Sequence, residues 1–259
     1  MATGSTTDQA RGAAPVVLIA PAMAVGSRYY RPLTEEFARR GWTAIAMGQR
    51  GFESGGPVAG RSQDWSYADE IGDIADEVAR ARAQWPQRPI VLLGHSLGGQ
   101  LVAGHQLTGE PVDGVVAVAA PFPYFRNYRH AGIPILAMAA LVVPLVTAVA
   151  GFVPKPAFGG PGARTLMREW ATMVVTGRTP FPADRLIDTP ALILAIDGDT
   201  LAPPRSVAAY PRRFFEPATT TFAQVQAADP ALNDHLRWVR QSAFVVDEIV
   251  AWWAQRGAG

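Results

Sequence analysis

Residues 90–93, Ile-Val-Leu-Leu, run directly into Gly94-His95-Ser96-Leu97-Gly98, and a helix-compatible run follows at 101–107. This order has the form G-x-S-x-G, in which a strand turns sharply into a helix and presents a serine at the tip of the turn. Side chains at the two glycines would collide with the neighbouring strand and helix. The pattern therefore predicts a buried strand, a tight turn and a helix, with Ser96 as a candidate nucleophile. The alternative is a glycine-rich turn with an incidental serine.

Short apolar runs alternate with helical patterns along most of the chain. One predicted helix, between the second and third strands, places apolar side chains on one face and acidic side chains on the other. Another predicted helix closes the chain at about 235–254. This alternation is typical of the α/β class, with a mainly parallel central sheet flanked by helices. We predict buried strands at 16–20, 43–47, 90–93, 114–119 and 191–196, and a further strand at 219–224.

The alternation stops at residues 121–182, where prolines, glycines and aromatic residues are frequent. Within this segment, residues 131–154 carry no charged side chain, and a run of that length could span a membrane. Two prolines and a glycine interrupt the run, so we predict a mostly helical, apolar lid and no membrane span. The predicted organisation is a flexible tail at 1–14, a core formed by 15–120 and 183–259, and the lid at 121–182.

Composition narrows the function. A chain of 259 residues, 49% hydrophobic, is long enough for one α/β domain with an insertion, and its net charge of +1 gives no electrostatic reason to bind nucleic acid. The absence of cysteine excludes a thiol nucleophile and cysteine-ligated metals. No metal, phosphate or dinucleotide motif is present, so we expect no cofactor and no metal. The first 14 residues lack the apolar core of a signal peptide, so we expect a cytoplasmic protein; nothing indicates the oligomeric state.

A serine needs a general base within hydrogen-bond reach and a third group that orients that base. The chain has four histidines. His95 lies inside the predicted turn and points away from the serine hydroxyl, His105 lies further along the helix behind it, and His130 falls at the edge of the lid. His235 follows the last predicted strand and precedes a helix, so we predict it as the base; the alternative is a helix-capping surface histidine.

The orienting acid is predicted at the end of strand 191–196, which is followed by Asp197-Gly198-Asp199. Parallel strands present their C-terminal ends at one edge of the sheet, so either aspartate lies near Ser96. Asp199 is further out on the loop and we favour it, while Asp197 could instead bond the turn. The resulting chain order of serine, acid and histidine is used by one known hydrolase family.

With these residues, the chain resembles the α/β-hydrolase superfamily from about Val16 to Trp253. The resemblance implies an oxyanion hole formed by the backbone N–H groups of Met23 and Leu97, although Pro21-Ala22 stands where those proteins commonly have His-Gly. It also identifies residues 47–54 as an Asp-x-Arg-Gly-x-Gly-x-Ser loop that keeps Arg-Gly and Ser. The usual aspartate and second glycine of that loop are replaced, and Arg50 is expected to anchor the loop.

The resemblance and the candidate triad together predict a serine hydrolase that cleaves a carboxylic ester, or a related acyl bond, of a small hydrophobic molecule. Alternatives are an acyltransferase, or a lyase or cyclase on the same fold; a non-catalytic binding protein is less well supported by an intact triad. Four aromatic residues in or near the lid are candidates for substrate contact, and they could equally hold the lid together: Phe122, Tyr124, Phe125 and Trp170.

Overall fold

The computed structural model describes residues 14–129, 131–155 and 159–256. The predicted tail, apart from residue 14, and His130 lie outside the described residues. The described part of the chain contains a six-stranded sheet in the order β2-β1-β3-β4-β5-β6, with every neighbouring pair parallel. The strands are β1 (Val16–Ala20), β2 (Thr43–Ala46), β3 (Ile90–His95), β4 (Gly114–Val118), β5 (Ala191–Ile196) and β6 (Thr220–Val225).

The four inner strands are buried at every residue, whereas β2 and β6, at the two edges, are partly exposed. Continuous apolar strands are what a parallel sheet covered on both faces requires. Each predicted strand is present, with ends that differ by at most two residues. The predicted burial of 43–47 is wrong, because β2 lies at an edge of the sheet and is only partly covered. The mainly parallel α/β architecture is therefore confirmed, and β3 lies at its centre with β1 and β4 as its neighbours.

Helices cover this sheet and extend over its carboxyl edge. They are α1 (Arg31–Arg39), α2 (Tyr67–Gln84), α3 (Leu97–Thr108), α4 (Gly132–Ala150), α5 (Arg164–Thr176), α6 (Pro204–Phe214) and α7 (Ala243–Arg256). The last helix was predicted from about residue 235, which is wrong: it begins at Ala243. The Asp234 carboxylate accepts the N–H groups of Leu236 and Arg237, and the chain turns there into a short 3₁₀ segment before α7.

The segment predicted as a lid, residues 121–182, is called the insert below. It connects β4 to β5 and contains α4 and α5, which pack against each other. Helix α4 is continuous, with a wider π turn at Met138–Val142. In the part of the chain that the structure describes, α4 alone is long and apolar enough to cross a bilayer, and only 17% of it is buried.

Candidate active site

Ser96 lies at the junction of β3 and α3, at φ 55° and ψ −115°. This conformation is rare for a residue with a side chain and costs about 1–3 kcal/mol. Two backbone hydrogen bonds hold it, one from Ser96 N to Val118 O (3.1 Å) and one from Gly99 N to Ser96 O (3.0 Å). The turn thus lifts the half-buried hydroxyl group out of the sheet, as the sequence pattern predicted.

The glycines around the serine have no room for a side chain. A Cβ at Gly98 would lie 2.1 Å from the backbone oxygen of Ala20, and a Cβ at Gly94 would lie 2.4 Å from the Cα of Gly99. Both obstacles are backbone atoms, which cannot rotate away. The first and last positions of G-x-S-x-G are therefore fixed by the packing of α3 against β1 and β3.

The structure brings Ser96, His235 and Asp199 together. His235 Nε2 lies 2.8 Å from Ser96 Oγ and accepts the hydroxyl proton, and His235 Nδ1 donates to Asp199 Oδ2 at 2.7 Å. The second carboxylate oxygen of Asp199 accepts the backbone N–H groups of Leu201 (2.8 Å) and Ala202 (2.9 Å). The Asp199 side chain is fully buried, so each of its oxygens is held by a fixed donor.

The choice between the two aspartates after β5 follows from their partners. Asp197 accepts a hydrogen bond from the Gln224 side chain at 2.7 Å, on the exposed side of the neighbouring β6. Asp199 lies two residues further along, below the imidazole of His235. The sequence-based preference for Asp199 thus agrees with the geometry, and Asp197 makes a contact between strands instead.

The remaining described histidines lie elsewhere. His105 is buried on α3, away from the hydroxyl of Ser96. His95 is also buried, and complete burial lowers its pKa well below the usual value, so the ring stays neutral. The Tyr30 hydroxyl accepts Ala22 N–H at 2.8 Å and donates to His95 Nδ1 at 2.7 Å. His95 Nε2–H in turn donates to the backbone oxygen of His235 at 2.8 Å.

This chain of bonds joins two parts of the site that are far apart in sequence. Ala22 belongs to the loop that carries Met23, and His235 carries the imidazole beside Ser96. Tyr30 and His95 fix the distance between the two loops. Sequence analysis missed Tyr30, since no local pattern links it to His95, 65 residues away.

Met23 and Leu97, the oxyanion donors that the resemblance implied, line one small cavity. Among the described residues, neither backbone N–H donates a hydrogen bond to a protein acceptor. The next residue, Ala24, has φ 64°, and its neighbour Val25 donates its N–H to the Gln49 side chain at 3.1 Å. The loop is therefore held in a strained conformation that leaves Met23 N–H available.

The Arg-Gly loop, residues 47–54, also forms hydrogen bonds with the segment that follows Met23. Glu53 accepts hydrogen bonds from Ser27 N (2.7 Å), Ser27 Oγ (2.8 Å) and Gln49 N (3.2 Å). Arg50 forms a two-point ion pair with Asp73 at 2.5 and 2.7 Å, so its side chain fastens the loop to α2. The carboxylate at residue 53 thus replaces a glycine of the usual pattern with a side chain that bonds two loops.

Glu70 is a further buried acid near the site that the sequence did not single out. It borders the cavity of Met23 and Leu97, and its Oε1 accepts the Trp65 indole N–H at 3.0 Å. Burial raises the pKa of Glu70 to about 8, with a smaller opposing effect of the Trp65 hydrogen bond. The carboxyl group is therefore mostly protonated at neutral pH.

The cavity beside Met23 and Leu97 has a volume of about 20 Å³ and is closed on one side by residues of the insert. That is room for about one water molecule. The four aromatic residues predicted to contact substrate do not line it. Its walls are formed by Met23, Ala24, Gln49, Phe52, Trp65, Glu70, Leu97, Gly160, Pro161, Gly162, Ala163, Leu166 and Met167.

Each of the four predicted aromatic residues packs elsewhere. Phe122 meets Phe214 of α6 edge to face at 5.7 Å, and Trp170 of α5 is buried in the hydrophobic core. Tyr124 and Phe125 pack against each other at 5.1 Å. Their positions correspond to the other alternative of the sequence analysis, in which these rings hold the insert together.

Comparisons with known proteins identify the family and the fold. The sequence profile of the serine aminopeptidase S33 family matches residues 11–157. No curated protein matches the chain. Among solved structures, the monoacylglycerol lipase of Paleococcus ferrophilus is similar, with a TM-score of 0.62 and 17% identity over 93% of this chain and 96% of that one.

Two further solved structures show the range of chemistry found on this fold. A soluble variant of the monoglyceride lipase of Saccharomyces cerevisiae has a TM-score of 0.65 at 13% identity, over 94% of this chain and 87% of that one. A bromoperoxidase from Bacillus anthracis has a TM-score of 0.60 at 16% identity, over 93% of this chain and 92% of that one. At such identities the likeness is one of fold.

Proposed function

The chain belongs to the serine aminopeptidase S33 family of α/β-hydrolases, and we propose that it is a serine hydrolase that cleaves the carboxylic ester bond of a small hydrophobic molecule. One observation carries the proposal. A serine hydroxyl, an imidazole and a buried carboxylate are joined by hydrogen bonds of 2.8 and 2.7 Å. A nucleophile with its base and the group that orients the base is the arrangement that acyl transfer requires.

In the proposed mechanism, Ser96 Oγ attacks the ester carbonyl carbon while His235 Nε2 takes the hydroxyl proton. Asp199 keeps the imidazole in the tautomer with hydrogen on Nδ1 and stabilises the imidazolium that forms. The tetrahedral intermediate collapses, and His235 returns the proton to the departing alkoxide. A water molecule, deprotonated by the same imidazole, then releases the carboxylic acid and restores the serine.

The negative oxygen of each tetrahedral intermediate is assigned to the N–H groups of Met23 and Leu97. Leu97 begins α3 and Met23 lies in a loop held by hydrogen bonds, so the two donors are proposed to require no reorganisation during the reaction. Loss of one such donor typically costs about 10²–10³ in kcat. The cavity they line is apolar apart from Gln49 and Glu70, which favours a hydrophobic group next to the carbonyl carbon.

The insert is proposed to act as a lid. With room for about one water molecule beside Met23 and Leu97, an acyl chain fits only when the segment around Gly160–Met167 moves away. Closure over the bound ester would then exclude bulk water from the charged intermediate and strengthen its interaction with the two N–H groups. Access to Ser96 is therefore proposed to be controlled by the insert.

The test is turnover of p-nitrophenyl esters from acetate to laurate by the wild type, Ser96→Ala and Ser54→Ala. Ser54 is an exposed loop serine and serves as the matched control. We expect turnover that Ser96→Ala abolishes and Ser54→Ala leaves unchanged, with a fluorophosphonate probe labelling Ser96. Alanine p-nitroanilide, an amide, should be cleaved far more slowly than the esters. Folded wild type without Ser96-dependent ester turnover would contradict the proposal.

A further inference from the structure

Helix α4 carries its large apolar side chains on the outside. Leu141, Leu145 and Val149 are 68%, 66% and 69% exposed, and they follow one another at four-residue spacing on one side of the helix. Ile133 and Val142 are also exposed, at 77% and 41%. These five residues are called the aliphatic ridge. Large aliphatic groups on a soluble helix normally face the core, so the ridge needs a covering surface in at least one state of the protein.

The opposite side of α4 is the one that is buried, and its side chains are smaller. Ala139, Val143 and Thr147, each 1% exposed, also recur every four residues but are offset by two from the ridge. At 100° per residue this offset places them about 200° around the helix from the ridge. The helix is therefore smaller and more polar on its inner side than on its outer side.

Near its C-terminal end, α4 is fastened to the rest of the molecule by two hydrogen bonds. Arg168 Nε on α5 donates to Thr147 Oγ1 at 2.8 Å, and the Arg61 guanidinium donates to the backbone oxygen of Val149 at 3.1 Å. These two bonds, together with the buried residues of the other side, attach α4 to the rest of the molecule, so we expect the helix to stay in the fold. The ridge can be covered only by a surface that meets α4 from outside.

The charged residues that flank α4 in the sequence are all positive. Residues 114–163 contain no aspartate or glutamate. Exposed arginines 126 and 129 precede the helix, and Lys155 follows it; Arg61 lies at its C-terminal end. An uncharged apolar stripe with cations at both ends matches a surface that is apolar inside and anionic at its rim.

We propose that the aliphatic ridge of α4 docks flat on an anionic phospholipid surface. The five side chains would enter the boundary between headgroups and acyl chains, and the basic residues at either end would meet the phosphates. The ridge spans 17 residues, from 133 to 149, or about 24 Å, a length suited to lying in the membrane plane. A second copy of the chain fits less well, because stacking two ridges in either direction brings positive ends against positive ends.

Docking would place the insert, which closes the cavity beside Met23 and Leu97, directly on a phase in which hydrophobic esters dissolve. The docking itself does not depend on ester cleavage, so vesicle binding can be measured whatever the outcome of the turnover assay. This separates a failure of the docking proposal from a failure of the proposed function.

The experiment is co-sedimentation of the whole chain with vesicles of phosphatidylcholine containing 30% phosphatidylglycerol, and with vesicles of phosphatidylcholine alone. We expect binding to the anionic vesicles and at least about tenfold weaker binding to the neutral ones. The double variant Leu141→Ser, Leu145→Ser should weaken binding by about tenfold or more. Its matched control replaces two exposed apolar residues elsewhere, Leu186→Ser with Phe222→Ser, and should bind like the wild type.

A second pair of variants tests the charges. Arg126→Gln with Lys155→Gln should reduce the preference for anionic vesicles by about tenfold or more, because each basic residue near the surface contributes about a factor of five. Arg205→Gln with Arg212→Gln removes the same charge from exposed positions on α6 and should leave the preference unchanged. Equal loss in both pairs would overturn the proposal, since it would show attraction by net charge alone.

Amide hydrogen exchange on the wild type keeps the proposal testable if a ridge variant fails to fold. Anionic vesicles should slow exchange in peptides covering residues 132–150 and leave those of β6 unchanged. No binding of the wild type to anionic vesicles would overturn the proposal. So would a wild-type dimer that Leu141→Ser with Leu145→Ser converts to a monomer without any effect of vesicles, because the ridge would then be an interface between copies.

Discussion

The residues around Ser96 and the exposed side of helix α4 differ in how tightly their surroundings constrain them. Around Ser96 the polar groups of the triad are paired and the glycines touch backbone atoms, so little can change without a collision or a lost hydrogen bond. In α4 the buried side is formed by small residues and the large side chains reach solvent. Around Ser96 each position therefore tolerates few residues, whereas the outside of α4 is defined only by its apolar character.

This difference assigns separate tasks to the two regions. We propose that chemistry depends on the residues around Ser96, where a displaced hydrogen bond changes the rate, and that access depends on the insert. Substitutions around Ser96 should therefore change kcat or stability, and substitutions on the outside of α4 should leave both almost unchanged. Five substitutions, taken from the largest expected effect to the smallest, test whether the division is real.

Asp199→Asn should have the largest effect, a fall in kcat for a short p-nitrophenyl ester of about 10⁴-fold, because the amide favours the wrong tautomer of His235. Asp197→Asn is the matched control and should stay within about threefold of the wild type, since its partner is Gln224. The comparison is drawn from initial rates at saturating substrate. Equal losses in the two variants would place the orienting acid elsewhere.

Gly98→Ala should destabilise the protein by about 3 kcal/mol or more, because the new Cβ would meet the Ala20 oxygen at 2.1 Å. The melting temperature is then expected to fall by about 5–10 °C or more. At Gly72, within α2, a Cβ meets nothing within 4 Å. Gly72→Ala should raise stability by up to about 1 kcal/mol. A stable Gly98→Ala variant would show that the residues around Ser96 tolerate substitution as the outside of α4 does.

Glu70→Gln should alter how stability depends on pH. The folded-state pKa of about 8 lies above the unfolded value of 4.5, so the protonated acid is favoured in the native state. Its contribution is complete below about pH 4.5 and is lost as pH rises through 8, on the order of a few kcal/mol in total. Urea unfolding at pH 5 and pH 8 should show this loss in the wild type and in the exposed control Glu35→Gln, but not in Glu70→Gln.

Tyr30→Phe should lower kcat by about tenfold with little change in KM, because Ala22 N–H and His95 Nδ1 lose their common partner. Two buried groups left unpaired also cost about 1–3 kcal/mol of stability. Tyr29→Phe, which removes one bond to the backbone oxygen of Leu236, is the control and should affect kcat less. A loss of stability with an unchanged kcat would mean that Tyr30 supports the fold without positioning the catalytic loops.

Leu145→Ser should have the smallest effect, with kcat for a short ester within about twofold and an unfolding free energy within about 0.5 kcal/mol of the wild type. Val143→Ser, two residues earlier on the buried side, should cost about 2 kcal/mol or more. The pair is compared by urea unfolding and ester turnover. If both variants lost the same stability, α4 would have no distinct outer side.

Much of the arrangement around Ser96 could be predicted from the sequence, because it depends on residues that are close together in the chain. Continuous apolar runs predicted the buried strands, and the turn pattern predicted Ser96 at the end of β3. The search for a histidine after the last strand led to His235. The α/β-hydrolase fold is confirmed by the parallel sheet and by the family match. Each of these features is set by neighbours within a few residues, or by the common edge of parallel strands.

The remainder depends on contacts that local patterns do not encode. Tyr30 and His95 are 65 residues apart, and the Glu53 carboxylate acts on Ser27, 26 residues away. The sequence of α4 is apolar on every side, so hydrophobic periodicity could not show which face packs against α5. Aromatic residues in the insert suggested a pocket, but the rings of Phe122 and Trp170 turned out to fill the core.

The central position of β3 affects the order in which parts of the protein unfold. It lies between β1 and β4 in the middle of the sheet, and all six of its residues are buried. Such a strand opens only when the whole domain unfolds, whereas edge strands and exposed helices open in smaller, more frequent fluctuations. The loop that presents Ser96 is attached to this strand, whose amides we expect to exchange most slowly. Fraying of the edge strands or of α4 thus leaves the nucleophile in place until cooperative unfolding removes it.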